Sequence, residues 1–266
     1  MASTKTERLR NLVSLLPCVP ATYFSLGEFE RARADPARWW RLRTARADQA
    51  GGRRPLSADE VLQFAEGHSD GIVIQEYIEP VVSGVAYFTT DSVVIESLVG
   101  ACDPLLRGGA EGDLWTVNIH DADLDSADDQ STDRKISTRW VSSQVVPLSS
   151  TAGGQLPDGC LIEWIVDADR QMLVVDLKEV GSRLLSLIQP GNVFWVGHPQ
   201  EGSASLVLDS PEFIHVDRLT DWRGTYVRCG SGSPLAHFCV EAHEMGISVE
   251  LTRRQKPRVL TADIDR

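Results

Sequence analysis

Two carboxylates and one histidine carry the first chemical suggestion in this chain. Glu163 and Asp176 lie in "CLIEWIVDADRQMLVVDLKEV", residues 160–180, where two apolar runs flank Asp167-Ala168-Asp169. A hairpin about that turn brings the carboxylates onto neighbouring strands, and oxygen donors of this kind suit Mg²⁺ bridging nucleotide phosphates. Two exposed strand carboxylates would give the same spacing. Upstream, "IVIQEYIEPVVSGVAYF", residues 72–88, reads as a strand leading into a hinge. The backbone of such a hinge could bond an adenine edge while the following strand floors the pocket.

The histidine is His237, in "SPLAHFCVEAHEMGI", residues 233–247. Ser233 can cap a helix, Pro234 fits its first position and Gly246 its C-terminal stop, so the punctuation predicts a helix over 234–245. His237 then falls in the first turns. There the positive end of the helix dipole and unpaired N–H groups favour neutral imidazole and would stabilise a phosphoryl group placed on it. A half-exposed surface histidine without chemistry is the plainer alternative. A zinc site from Cys229, His237, Cys239 and His243 is a third; Cys239 and His243 share a helix face, but His237 points elsewhere.

The elements that must position these groups follow from periodicity. Leu9, Leu12, Val13 and Leu16 recur at helical spacing in 4–16, and a second helical stretch runs over about 26–38. A strand is expected at 39–45. In 56–68, Ser57 stands three residues before Glu60, a capping-box spacing ahead of Val61, Leu62 and Phe64. Runs at 72–78, 84–89 and 93–98 are β-branched and aromatic and read as sheet. The stretch 121–134 holds six aspartates and one large apolar residue, which predicts a solvated surface loop. A composition shift at 197–205 is the best linker candidate.

Composition narrows the function classes. With 266 residues and 42% hydrophobic content the chain can bury a core as one large domain or two smaller ones. A formal charge of −12 argues against a surface that tracks nucleic-acid phosphates. Five widely spaced cysteines without a C-x-x-C pattern argue against a disulfide framework or a zinc ribbon, and fit a reducing cytoplasm. No run approaches ~20 apolar residues, so a soluble, unprocessed protein without membrane partners is expected.

Taken in order, "IVIQEYIEPVVSGVAYF", "IESLVG", "LIEWIVDADRQMLVVDLKEV" and "SPLAHFCVEAHEMGI" resemble the nucleotide-binding and swivelling phosphohistidine domains of the pyruvate phosphate dikinase and phosphoenolpyruvate synthase family, a set of parts also found in rifampicin phosphotransferases. The resemblance covers roughly residues 40–250. It implies an α+β fold, with an ATP-grasp-like nucleotide-binding domain over 1–197 and a small swivelling phosphohistidine-type αβ domain over 198–266. It implies ATP and Mg²⁺ as cofactors, with Gln75, Glu76 and Tyr77 on the adenine side and Glu163 on the metal. Asp176 and Lys178 stand where the family has glutamine and, two residues later, arginine; aspartate can hold magnesium, and lysine can meet a phosphate as a point charge. Arg43 in "LRTA" matches the family's phosphate-binding arginine of "R-S-S-A". His237 precedes "AHEMGI" in the register of the family's carrier histidine. The implied activity is phosphoryl transfer through His237 to a small-molecule or protein acceptor; a non-catalytic binding subunit and an ATP-grasp ligase making an acyl phosphate are the alternatives. The first 38 residues contain no counterpart of the family's glycine-rich segment and lysine, which implies an abbreviated ATP cleft or one completed by a partner subunit.

Overall fold

A computed structural model describes residues 7, 9, 10, 13, 16–32, 37–43, 54–65, 72–119, 136–150, 156, 158–181, 184–188, 193–198, 200–211, 225–254 and 258–260. The aspartate-rich stretch at 121–134 lies outside them. The architecture is α+β.

A small layer comes first in the chain. Strands β1 (Thr22–Tyr23), β2 (Trp40–Arg43) and β3 (Val73–Glu76) form an antiparallel sheet in the order β1-β3-β2. Helices α1 (Leu26–Ala32) and α2 (Ala58–Ala65) accompany it, and Phe29, Trp40, Leu42, Val61 and Ile74 make their common core. Edge-to-face packing of Phe29 on Trp40, with ring centroids 4.8 Å apart, fixes that core. The expected capping box at the start of α2 is present: Glu60 N–H donates to Ser57 Oγ at 3.3 Å and Ser57 N–H to Glu60 Oε2 at 2.8 Å.

The larger sheet holds β4 (Val82–Phe88), β5 (Ser92–Val99), β6 (Asp113–Asn118), β7 (Cys160–Val166), β8 (Met172–Glu179) and β14 (Arg258–Leu260). Their order is β14-β6-β5-β4-β7-β8. Neighbours are antiparallel except β14 and β6, which run parallel. The hairpin expected at 160–180 is therefore β7 and β8, and its turn is closed by Asp167, whose Oδ1 accepts the N–H groups of Asp169 and Gln171. Helices α3 (Asp103–Leu106) and α4 (Thr138–Val145) lie in the connections. No periodicity argument anticipated α4, since Ser142, Ser143 and Gln144 interrupt its apolar face, and it is Ser137 Oγ accepting from Trp140 N–H that caps it.

A third sheet is built from β9 (Leu185–Ile188), β10 (Val193–Val196), β11 (Leu206–Leu208), β12 (Tyr226–Cys229) and β13 (Ser248–Thr252), ordered β11-β12-β13-β10-β9. Parallel β12 and β13 are joined through helix α5 (His237–Glu244). The boundary expected at 197/198 falls inside this sheet, because β10 pairs with β13 along 193–196.

The two faces of the six-stranded sheet have different partners. Ala86, Phe88, Ile95, Trp115, Ile162 and Trp164 pack with Val141 and Val145 of α4. Val85, Tyr87, Leu114 and Leu161 face the other way, toward Phe194, Val227, Val249 and the buried side of α5. On that second face the register places Leu114, Glu96, Val85, Glu163 and Asp176 in one cross-strand row. Glu96 is fully buried and accepts from Arg253, from Ser233 Oγ at 2.5 Å and from Gly112 N–H at 3.1 Å. Burial pushes its carboxyl up, and those donors pull it back.

Gly84 sits next to this row for a steric reason. A Cβ there would stand 2.1 Å from Glu96 O and 2.7 Å from Trp164 Cζ2. Glycine is thus required at position 84, where β4 passes between β5 and β7. Arg253→Met, which leaves the Glu96 carboxylate buried without its cation, is expected to lower unfolding free energy by about 3–5 kcal/mol in urea titrations. Gly84→Ala is expected to cost about 1–3 kcal/mol in the same assay.

Candidate functional site

Glu163 and Asp176 are direct antiparallel partners, so both carboxylates leave the sheet on one face. A β-bulge between Glu163 and Trp164 makes Val175 the extra residue of β8, which is how the hairpin departs from regular alternation at this point. Both are nearly buried, Glu163 at 5% and Asp176 at 8% relative exposure. Adjacent carboxylates of low exposure repel one another unless a cation or a hydrogen-bond donor joins them. Asp176 Oδ1 accepts the Leu177 N–H at 2.9 Å. Glu163 Oε1 lies 2.8 Å from His237 Nε2.

A cleft runs from Glu163 to β3 and is lined by Arg41, Gln75, Tyr77, Cys102, Asp103 and Glu163 among others. Gln75 is buried and clamps β3 to the bulge, its Nε2 donating to Val175 O at 3.2 Å. Glu76 pairs with Arg38 at 3.0 Å, and Tyr77 donates its hydroxyl to Glu79 at 2.5 Å. The hinge backbone is more committed than its sequence suggests: Glu76 N–H goes to Ala21 O at 2.8 Å and Tyr77 N–H to Trp39 O at 2.7 Å. Any donor from this strand to an adenine edge must therefore come from beyond Tyr77.

The cation of the cleft that sequence reasoning missed is Arg41. Its guanidinium lies 5.1 Å from the Tyr77 ring centroid and donates to Asp103 Oδ2 at 3.2 Å. Arg43, the residue singled out by resemblance, ends β2 opposite Val73. The two arginines alternate in "WWRLRTA", and the sequence held no signal to choose between them. Lys178 lies two residues after Asp176 in β8, and its Nζ meets Glu244 of α5 at 3.0 Å.

Helix α5 begins later than expected. It spans His237–Glu244 with Ala236 as N-cap and no side-chain cap. Ser233 does not cap it because its Oγ donates to Glu96 and accepts Leu235 N–H at 3.1 Å. His237 is thus the first helical residue and half-exposed, with its imidazole turned to Glu163. Gly246 does stop the helix, at φ 78°. The four residues of the zinc reading do not converge: Cys239 is buried with Sγ toward Ser233 O, and the described residues contain no group of three or more His, Cys, Asp or Glu that could hold a metal. Two hard carboxylate oxygens suit Mg²⁺, an ion that usually retains waters and is completed by substrate phosphates.

No family model matches this sequence, and no curated protein matches it. Among solved structures, the macrocyclase MdnC from Microcystis aeruginosa MRC, bound with precursor peptide MdnA, matches over 66% of this chain and 51% of its own at 12% identity, with a TM-score of 0.37. ATP-grasp ligase PsnB, complexed with a phosphomimetic variant of minimal precursor, Mg and ADP, matches over 66% and 48% at 16% identity and a TM-score of 0.35. N5-carboxyaminoimidazole synthetase from Staphylococcus aureus, complexed with ADP, matches over 65% and 42% at 13% identity and a TM-score of 0.34. The matching region spans about half the length of these proteins. The matches correct the resemblance to the pyruvate phosphate dikinase family, since the structures found are ligases. Among the described residues, no helix is long and apolar enough to cross a membrane.

All five cysteines are free thiols. Burial pushes Cys18, Cys102, Cys160 and Cys229 up to about 12, and Cys239 well above its ordinary value; the Glu163 carboxylate adds to the effect on Cys102. Cys102 in the cleft is therefore no nucleophile at neutral pH. Reaction of the native protein with Ellman's reagent at pH 7.5 is expected to be at least about a hundredfold slower than after denaturation, when five thiols per chain titrate.

Proposed function

We propose that this chain forms the nucleotide- and magnesium-holding part of an ATP-grasp ligase, one that activates a carboxylate as an acyl phosphate for attack by a second nucleophile. The observation that carries this reading is the pairing of Glu163, which lines the cleft whose other wall is β3, with Asp176 on the same sheet face. In this reading Glu163 and Asp176 hold Mg²⁺, which when bound offsets the negative charge of the ATP phosphates. Lys178 and Arg41 meet phosphate oxygens, Arg41 as a fork that can bind two of them. Gln75 keeps β3 at a fixed distance from the bulge of β8, and Tyr77 offers its ring edge to the base. Ile165 and Val175 supply apolar lining that excludes water from the phosphates.

In this scheme the phosphoryl group passes directly from ATP to the substrate carboxylate, so His237 needs no carrier role. The carboxylate-bearing acceptor and the attacking nucleophile would bind residues outside the cleft, in keeping with a chain that matches about half of each ligase. PsnB is complexed with Mg and ADP in one structure and with AMPPNP in another, and ATP with Mg²⁺ is the corresponding ligand set expected here.

Isothermal titration is expected to show ATP binding that requires Mg²⁺. Glu163→Gln and Asp176→Asn should each weaken it tenfold or more, which corresponds to about 1.4 kcal/mol. With γ-labelled ATP, no base-stable label should remain on the chain. Absence of binding to the wild-type protein would favour a module that has kept the fold without the chemistry, and base-stable label lost in His237→Ala would restore the histidine as a carrier.

A further inference from the structure

Helix α5 engages two of the residues assigned above to magnesium and phosphate. His237 Nε2 meets Glu163 Oε1 at 2.8 Å, and Glu244 Oε2 meets Lys178 Nζ at 3.0 Å. The two helix residues are seven apart, two turns of one face, and span the β7–β8 hairpin on the side where Asp176 also emerges. The helix itself is fixed. Leu235, Ala236, Cys239, Val240 and Ala242 are at most 1% exposed, and Ser233 bonds to the buried Glu96. The two polar side chains are not fixed in this way: His237 is 51% and Glu244 42% exposed at the side chain. Each can rotate into water while the backbone stays in place.

We propose that His237 and Glu244 form a side-chain latch that holds Glu163 and Lys178 in the ligand-free protein and must release them when magnesium and nucleotide phosphate bind. The inference rests on the nucleotide reading above and adds its regulation. Imidazole and metal compete for one carboxylate oxygen, and the Glu244 carboxylate competes with phosphate for one ammonium. The first exchange trades an imidazole contact, and the second a partly exposed ion pair, for a stronger charged ligand, which is why the latch lowers affinity without abolishing it. A helix that served instead to orient Glu163 toward the metal would have the opposite effect when truncated.

The test measures Mg²⁺·ATP affinity by calorimetry in the wild-type chain, His237→Ala, Glu244→Gln and the double variant. Glu241→Gln removes the same charge from the same helix and serves as the control for long-range electrostatics. The latch predicts affinity about threefold tighter in each single variant and about tenfold tighter in the double, with Glu241→Gln within about twofold of wild type. In wild-type protein with labelled histidine, the His237 imidazole resonances should shift on adding Mg²⁺·ATP. Weaker or unchanged binding in His237→Ala, with the wild-type chain still binding, overturns the latch and leaves the nucleotide site standing. No binding by any of the five proteins overturns both. Binding only after the latch is removed supports it most strongly.

Discussion

The structure depends on how one row of carboxylates is kept on a buried face of the six-stranded sheet. Glu96, Glu163 and Asp176 align across β5, β7 and β8, with Val85 of β4 between the first two. A carboxylate in such a place costs several kcal/mol unless it has donors or a cation beside it. Each member meets this demand differently. Glu96 has Arg253, Ser233 and Gly112 around it and is wholly enclosed, which makes it architectural. Glu163 has His237 on one oxygen and opens onto the cleft. Asp176 sits beside it on the outermost strand of the sheet.

The same row explains why the C-terminal third of the chain packs where it does. Ser233, His237 and Glu244 follow one another along a short segment and meet Glu96, Glu163 and Lys178 in turn. Between those polar contacts, Leu235, Cys239, Val240 and Ala242 join the core that contains Val85, Tyr87 and Leu161. Hydrophobic burial supplies most of the attachment, and the polar contacts fix its register on the sheet. A segment held in this way brings helix α5 against the candidate site rather than away from it.

Much of the fold could be read from periodicity. The Ser57–Glu60 box, the strands of 72–99 and the hairpin about Asp167 all depend on local turn and cap chemistry, which sequence spacing encodes directly. The carboxylate pair was legible for the same reason, because a hairpin fixes which residues oppose each other. What was not legible depends on long-range contacts. Ser233 looked like a helix cap and is instead a partner of Glu96, 137 residues away. His237 could be placed at a helix start, but only the fold shows that Glu163, 74 residues earlier, lies beside it. Arg41 and Arg43 were indistinguishable until β2 paired with β3.

In the reading proposed above, Glu163, which lines the cleft, and its cross-strand partner Asp176 receive a metal-bound nucleotide. Replacing Mg²⁺ with paramagnetic Mn²⁺ in the presence of ATP, and recording amide spectra of the labelled chain, tests it most directly. Broadening centred on residues 162–164 and 175–178, with weaker effects around 75–78, is the predicted result. Broadening confined to the aspartate-rich stretch at 121–134, with the hairpin amides unchanged, would contradict the account.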